Sequence, residues 1–90
     1  MSELVQQKSE LAKRLASIEG HIRGVRTMVE QDVYCVDILR QTYAVERALK
    51  KFEAELLRGH LSSCVPKGFT DGRNDQMIGE LTELFEIAKR

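Results

Sequence analysis

The sequence predicts an all-α protein, and three observations carry that prediction. Apolar residues recur at helical three-four spacing along most of the chain, the single proline falls late, and 31% of the residues are charged with no tryptophan. No stretch shows the alternation of a strand. Ninety residues make one domain, residues 1–90, too short to bury a large core unaided, so oligomerisation is expected to supply the rest. The expected protomer has three helices, at about 6–31, 34–64 and 74–89: two long ones in an antiparallel hairpin and a short third.

In the first helix, Leu4, Leu11, Leu15, Ile18, Ile22, Val25 and Val29 mark a bundle seam. Gly20 and Gly24 interrupt it at small-residue spacing and suggest close approach of a neighbouring helix. Lys13-Arg14 is the helix's only adjacent basic pair. Gln31-Asp32-Val33 forms a short connection in which Asp32 is read as the N-cap of the second helix. That helix carries Ile38, Leu39, Ala44, Val45, Ala48, Leu49, Phe52, Leu56 and Leu57 on its apolar positions. Pro66 is expected to end it, because proline offers no backbone N–H and disfavours helix at the residue before it. After the turn signal Asp71-Gly72-Arg73-Asn74, the residues Met77, Ile78, Leu81, Leu84, Phe85 and Ala88 mark the third helix.

The chemistry gathers on the second helix. Its far end carries His60 and Cys64 at i and i+4, one above the other on one face, where both can grip a single ion. Cys35 lies at its near end, and 25 residues of helix amount to roughly 37 Å, against metal bonds of about 2.0–2.3 Å. If all three serve one site, Cys35 must come from a second copy with its long helix antiparallel, giving two identical sites per dimer. Two thiolates and one imidazole are soft donors; three of them suit copper(I), and zinc would need a fourth ligand. The bland readings stand beside this one: a helical cysteine is often a small core hydrophobe, and a Cys35–Cys64 link between subunits would be a redox signal. His21 has no soft neighbour in sequence and reads as structural. No constellation of nucleophile, base and orienting group appears, so an enzyme is not expected.

Net charge is zero, so its distribution must speak for or against nucleic acid. Arg40, Arg47, Lys50, Lys51 and Arg58 outnumber the acids between positions 40 and 60, whereas the last twenty residues are acidic. The N-terminus lacks a leader pattern and no apolar run spans a bilayer, which predicts a cytoplasmic chain with reduced thiols. A compact helix-turn-helix reader is not what two long helices supply.

Arg14-Leu15, Ile18-Glu19-Gly20-His21-Ile22-Arg23-Gly24, Tyr34-Cys35-Val36-Asp37-Ile38-Leu39, Ala44-Val45, Leu57, His60-Leu61 and Cys64-Val65 together resemble the CsoR/RcnR family of bacterial metal-sensing transcriptional repressors. The resemblance covers nearly the whole chain. It implies an antiparallel four-helix-bundle dimer that pairs into a homotetramer, and a DNA surface that is not a winged helix. It also implies Cu(I) held by Cys35 of one protomer with His60 and Cys64 of the other, Tyr34 and Glu80 in the surrounding shell, and an apo form that binds operator DNA until copper releases it. Arg14 and Lys51 match positions implicated in DNA contact, and Lys13 and Lys50 adjoin them. Nickel and cobalt sensors carry a histidine near the N-terminus where Glu3 stands. Formaldehyde sensors lack the second cysteine, and persulfide sensors lack the histidine between the two. Against the copper-switched repressor stand a sensor of another metal or of reactive sulfur, a copper buffer without DNA binding, and a purely structural oligomer.

Overall fold

A computed structural model describes the backbone from Ser2 to Arg90 and the side chains from Gln7 onward. The seam position at Leu4 and the side chain of Glu3 therefore lie outside the described residues. The helices are α1 (Ser2–Glu30), α2 (Cys35–Gly59), a π-helical turn (His60–Cys64), α3 (Val65–Thr70) and α4 (Asn74–Lys89). Since α2, the π turn and α3 follow without a break, the chain forms three helical segments and, among the described residues, no strand. It falls into two compact units, the first ending at Leu57 and the second being Arg58–Arg90.

In the first unit α1 and α2 pair as an antiparallel hairpin. Two polar contacts fix its register: Gln7 Nε2 donates to the Glu55 carbonyl at 2.9 Å, and His21 Nε2 meets Gln41 Oε1 at 2.8 Å. The buried side chains are Leu11, Ile18 and Val45. On α1 the covered positions are Gln7, Leu11, Arg14, Ile18, His21, Val25 and Met28, an unbroken three-four repeat. This corrects the expected seam. Leu15, Ile22 and Val29 are exposed, while Gln7, Arg14 and His21 are half-buried in their place. Two of these polar side chains tolerate the seam because α2 supplies their hydrogen-bond partners. Gly20 and Gly24 are exposed, and a β-carbon at Gly24 would meet nothing within 4 Å, so no close helix approach explains them within the chain.

Both turns use one device. After α1, Val33 N–H bonds the Met28 carbonyl and Asp32 N–H the Val29 carbonyl, with Asp32 at φ 55. After α3, Arg73 N–H bonds the Gly68 carbonyl and Gly72 N–H the Phe69 carbonyl, with Gly72 at φ 80. Each is a Schellman closure whose left-handed residue satisfies the last carbonyls of the helix before it. Asp32 thus ends α1 rather than capping α2. The Tyr34 carbonyl accepts the first bonds of α2, from the N–H groups of Asp37 and Ile38.

The second correction concerns Pro66. The backbone stays helical through Gly59 (φ −62, ψ −41), Cys64 (φ −72, ψ −41) and Val65 (φ −68, ψ −49), and Pro66 lies in the first turn of α3. In a straight α-helix its ring would press on the Ser62 carbonyl. Just upstream the turn has widened, with Val65 N–H bonding the His60 carbonyl five residues back. Burial of Val65 adds a packing reason to stay helical before a proline. In this unit Gly68 packs on Met77 of α4, the most buried side chain of the core, and a β-carbon at Gly68 would overlap Met77 Sδ and Cγ.

Candidate metal centre

Cys35 is the first residue of α2 and is exposed, with Tyr34 beside it at 67% exposure. Its thiol stands at a regular helix start. His60 and Cys64 are the first and last residues of the π turn, His60 half-buried and Cys64 exposed. Both remain on one face of the widened turn, four residues apart. The His60 ring has no hydrogen-bonded partner among the described residues, which leaves a nitrogen lone pair available to a ligand. Cys64 Sγ lies 3.9 Å from Ser63 Oγ.

The carbonyls where α2 gives way to the π turn are held by serine hydroxyls. Ser62 Oγ donates to the Arg58 carbonyl at 2.9 Å, and Ser63 Oγ donates to the Gly59 carbonyl at 2.6 Å. Glu80, half-buried on α4, accepts from Gln76 Nε2 at 3.0 Å. Among the described residues no three His, Cys, Asp or Glu side chains of the chain gather where an ion could sit. The helix explains why: α2 has 25 residues, about 37 Å of rise, with Cys35 at its start.

The basic residues divide between two stripes. Arg14 is midway between Gln7 and His21, and Ala48 is midway between Glu55 and Gln41, so the hairpin register sets Arg14 level with Ala48. Arg47 and Lys51 flank that level within one helical turn, and both are exposed. Arg40, Arg47 and Lys51 lie on one line of α2, within about 40° of one another at 3.6 residues per turn. Lys50 instead follows Val36 and Tyr43 at heptad spacing, inside an exposed apolar stripe. Lys13 is exposed and paired with Glu10 at 3.7 Å, whereas Arg47, Lys50 and Lys51 have no ion pair among the described residues. From the sequence, Arg47 counts only toward the basic balance of residues 40–60, and Ser63 is not singled out. Arg47 carried a readable signal, its helical alignment with Arg40 and Lys51; Ser63 carried none.

The described residues thus present an exposed thiol at the start of α2, a histidine–cysteine pair in the turn that follows it, and cations along α2. The chain belongs to the metal-sensitive transcriptional repressor family, whose model matches residues 7–87. It is 42% identical over 80 residues to the copper-sensing transcriptional repressor CsoR of Bacillus subtilis, a match covering 89% of this chain and 79% of that one. Among solved structures, the copper-sensing repressor CsoR with Cu(I) from Geobacillus thermodenitrificans matches with a TM-score of 0.89 and 36% identity, over 94% of this chain and 88% of that one. The nickel-responsive transcriptional regulator InrS matches at 0.72 with 37% identity, over 87% of this chain and 88% of that one. The family is one of repressors and not of enzymes. Among the described residues no helix is long and apolar enough to cross a membrane.

Proposed function

We propose that the protein is a copper(I)-responsive transcriptional repressor of the cytoplasm, acting as one functional unit over residues 1–90. In this reading the apo form binds operator DNA and copper(I) releases it. The observation that carries the metal site is the placement of its donors: Cys35 opens α2, while His60 and Cys64 share the turn that follows it. One chain cannot close such a set around an ion, so two antiparallel copies complete it, each site taking Cys35 from one subunit and the His60–Cys64 pair from the other. The exposed apolar stripes of Leu15, Ile22 and Val29 on α1 and of Val36, Leu39 and Tyr43 on α2 give such a dimer surfaces to bury. Pairing of dimers into a tetramer belongs to the same reading.

The donor set fits copper(I): two exposed thiols and an imidazole with a free nitrogen are soft, few and reachable. Cys35 of one subunit and His60 and Cys64 of the other would hold copper(I), which would supply a soft acid for those donors. The chain's residues do the rest. Tyr34 and Glu80 orient the second ring nitrogen of His60, the outer-shell role that fixes a ligating imidazole. Arg14 and Lys51, with Lys13 and Lys50 beside them, meet phosphates, and much of the affinity comes from counterion release. The half-buried Arg14 ties that surface to the hairpin seam, so a shift between the helices moves it. The nickel-responsive likeness favours a second reading, a nickel sensor on the same scaffold.

Anisotropy titrations of a fluorescent upstream DNA fragment, run anaerobically with apo protein, with Cu(I) and with Ni(II), test the reading. Cu(I) is expected to weaken binding by tenfold or more, about 1.4 kcal/mol of coupling. Unchanged DNA affinity with Cu(I) would refute it, and release by Ni(II) alone would replace it with the nickel reading.

A further inference from the structure

The His60–Cys64 pair is built on a turn that an α-helix does not supply. Its backbone bonds reach five residues back, as Val65 N–H to the His60 carbonyl shows. Widening a turn changes the angle through which four residues rotate, and with it the offset of Cys64 from His60 on their shared face. The ligand spacing is therefore a property of the turn, and what keeps the turn wide becomes part of the site.

Two features of this chain do so. Pro66, directly after the turn, withholds an N–H from the carbonyls behind it and crowds the Ser62 carbonyl in a straight helix. Within the turn, the Ser63 hydroxyl reaches back to the Gly59 carbonyl at 2.6 Å. In a regular α-helix the Gly59 carbonyl would receive the backbone N–H of Ser63. Here the hydroxyl of that same residue also donates to it, alongside the five-residue backbone pattern of the turn. The same bond made by Thr27, Thr70 and Thr82 leaves α1, α3 and α4 regular, so at Ser63 it acts together with Pro66. Ser62 makes a similar bond to the Arg58 carbonyl, but its second approach, to Gly59, is long at 3.4 Å. Ser63 Oγ also lies 3.9 Å from Cys64 Sγ, so the hydroxyl that pins the turn adjoins the thiol the turn presents.

We propose that Ser63 is a positioning residue for the metal pair: by holding the Gly59 carbonyl it keeps the turn wide and so sets the spacing of His60 and Cys64. The proposal rests on the reading of these two residues as metal ligands. It assigns Ser63 no bond to the metal.

The test uses the full chain as Ser63→Ala, Ser63→Thr and Ser62→Ala, with two readouts. The first is metal-free: backbone amide shifts and hydrogen exchange of residues 58–66 in the apo protein. Ser63→Ala is expected to move the 60–65 amides and change protection at Val65, whereas Ser63→Thr, which keeps a hydroxyl able to bond the same carbonyl, leaves them near wild type. The second is Cu(I) affinity in competition with a chelator, expected to fall about five- to tenfold in Ser63→Ala, less in Ser62→Ala, and to recover in Ser63→Thr. Apo spectra of Ser63→Ala that match wild type across 58–66 would overturn the proposal, as would a Ser63→Thr variant no better than alanine. Failure of the wild-type protein to hold Cu(I) would sink the copper reading instead, a result the apo spectra keep separate.

Discussion

The two ends of α2 carry the candidate ligands in opposite ways. At its start Cys35 occupies the first position of an ordinary α-helix, entered from the Schellman turn at Asp32. At its end His60 and Cys64 occupy a π turn braced by serine hydroxyls and followed by proline. A single donor needs only to be presented, and a plain helix start does that. A pair must be spaced, and the spacing is set by departing from α geometry.

The largest effect that sharpens this contrast is loss of a ligand at either end. Cys35→Ala and Cys64→Ala should each weaken Cu(I) binding by more than about 100-fold, beyond what removal of an outer-shell partner does. Melting temperature should barely move, because both thiols are exposed. A chelator competition beside a thermal melt reads both. His60→Ala should keep two sulfurs on the ion yet lose most copper-driven DNA release. If that variant binds copper and still releases DNA as fully as wild type, the imidazole carries no coupling.

Next in size is Gly68→Ala, which forces a β-carbon onto Met77 and should cost about 1–3 kcal/mol by overpacking. Hydrogen exchange should report the loss in residues 58–90 and spare the hairpin. The two turns differ as their left-handed residues do. Gly72→Ala at φ 80 should destabilise by about 1–2 kcal/mol, whereas Asp32→Gly at φ 55 should stabilise slightly, by less than about 1 kcal/mol. Denaturant melts would show opposite signs; a stabilising Gly72→Ala would break the account of that turn. The smallest effects fall on the basic line. Arg47→Ala and Lys51→Ala should each lower the salt slope of DNA binding by about one without altering stability. Lys50→Ala, beside that line on the apolar stripe, should lower the slope less and alter dimer dissociation as well.

Much of the fold was legible because apolar periodicity reports which face of a helix is covered. The helix class, the short third helix and the His60–Cys64 pairing all followed from spacing. Leu11, Ile18 and Val25 of the α1 seam are covered as read, but Gln7, Arg14 and His21 are polar and hydropathy cannot see that Glu55 and Gln41 wait opposite two of them. Asp32 looked like an N-cap because aspartate suits both a cap and a left-handed closure; only the hydrogen bonds of Val33 and Asp32 distinguish the two. Pro66 looked like a stop because the rule against proline assumes an α-helix behind it. The π turn removes that assumption, and nothing periodic betrays it, since the serines bonding backward there do what Thr27, Thr70 and Thr82 do in regular helix.

The central claim is that each metal site is shared between subunits, and complementation in a mixed dimer tests it most directly. Cys35→Ala and Cys64→Ala chains bearing different affinity tags would be co-expressed, the mixed dimer isolated through both tags, and Cu(I) titrated anaerobically against a competing chelator. A shared site predicts that neither parent binds tightly while the mixed dimer regains one wild-type site, since the first chain contributes His60 and Cys64 and the second contributes Cys35. A mixed dimer with no tight site, or a parent variant that keeps wild-type affinity, would contradict the account.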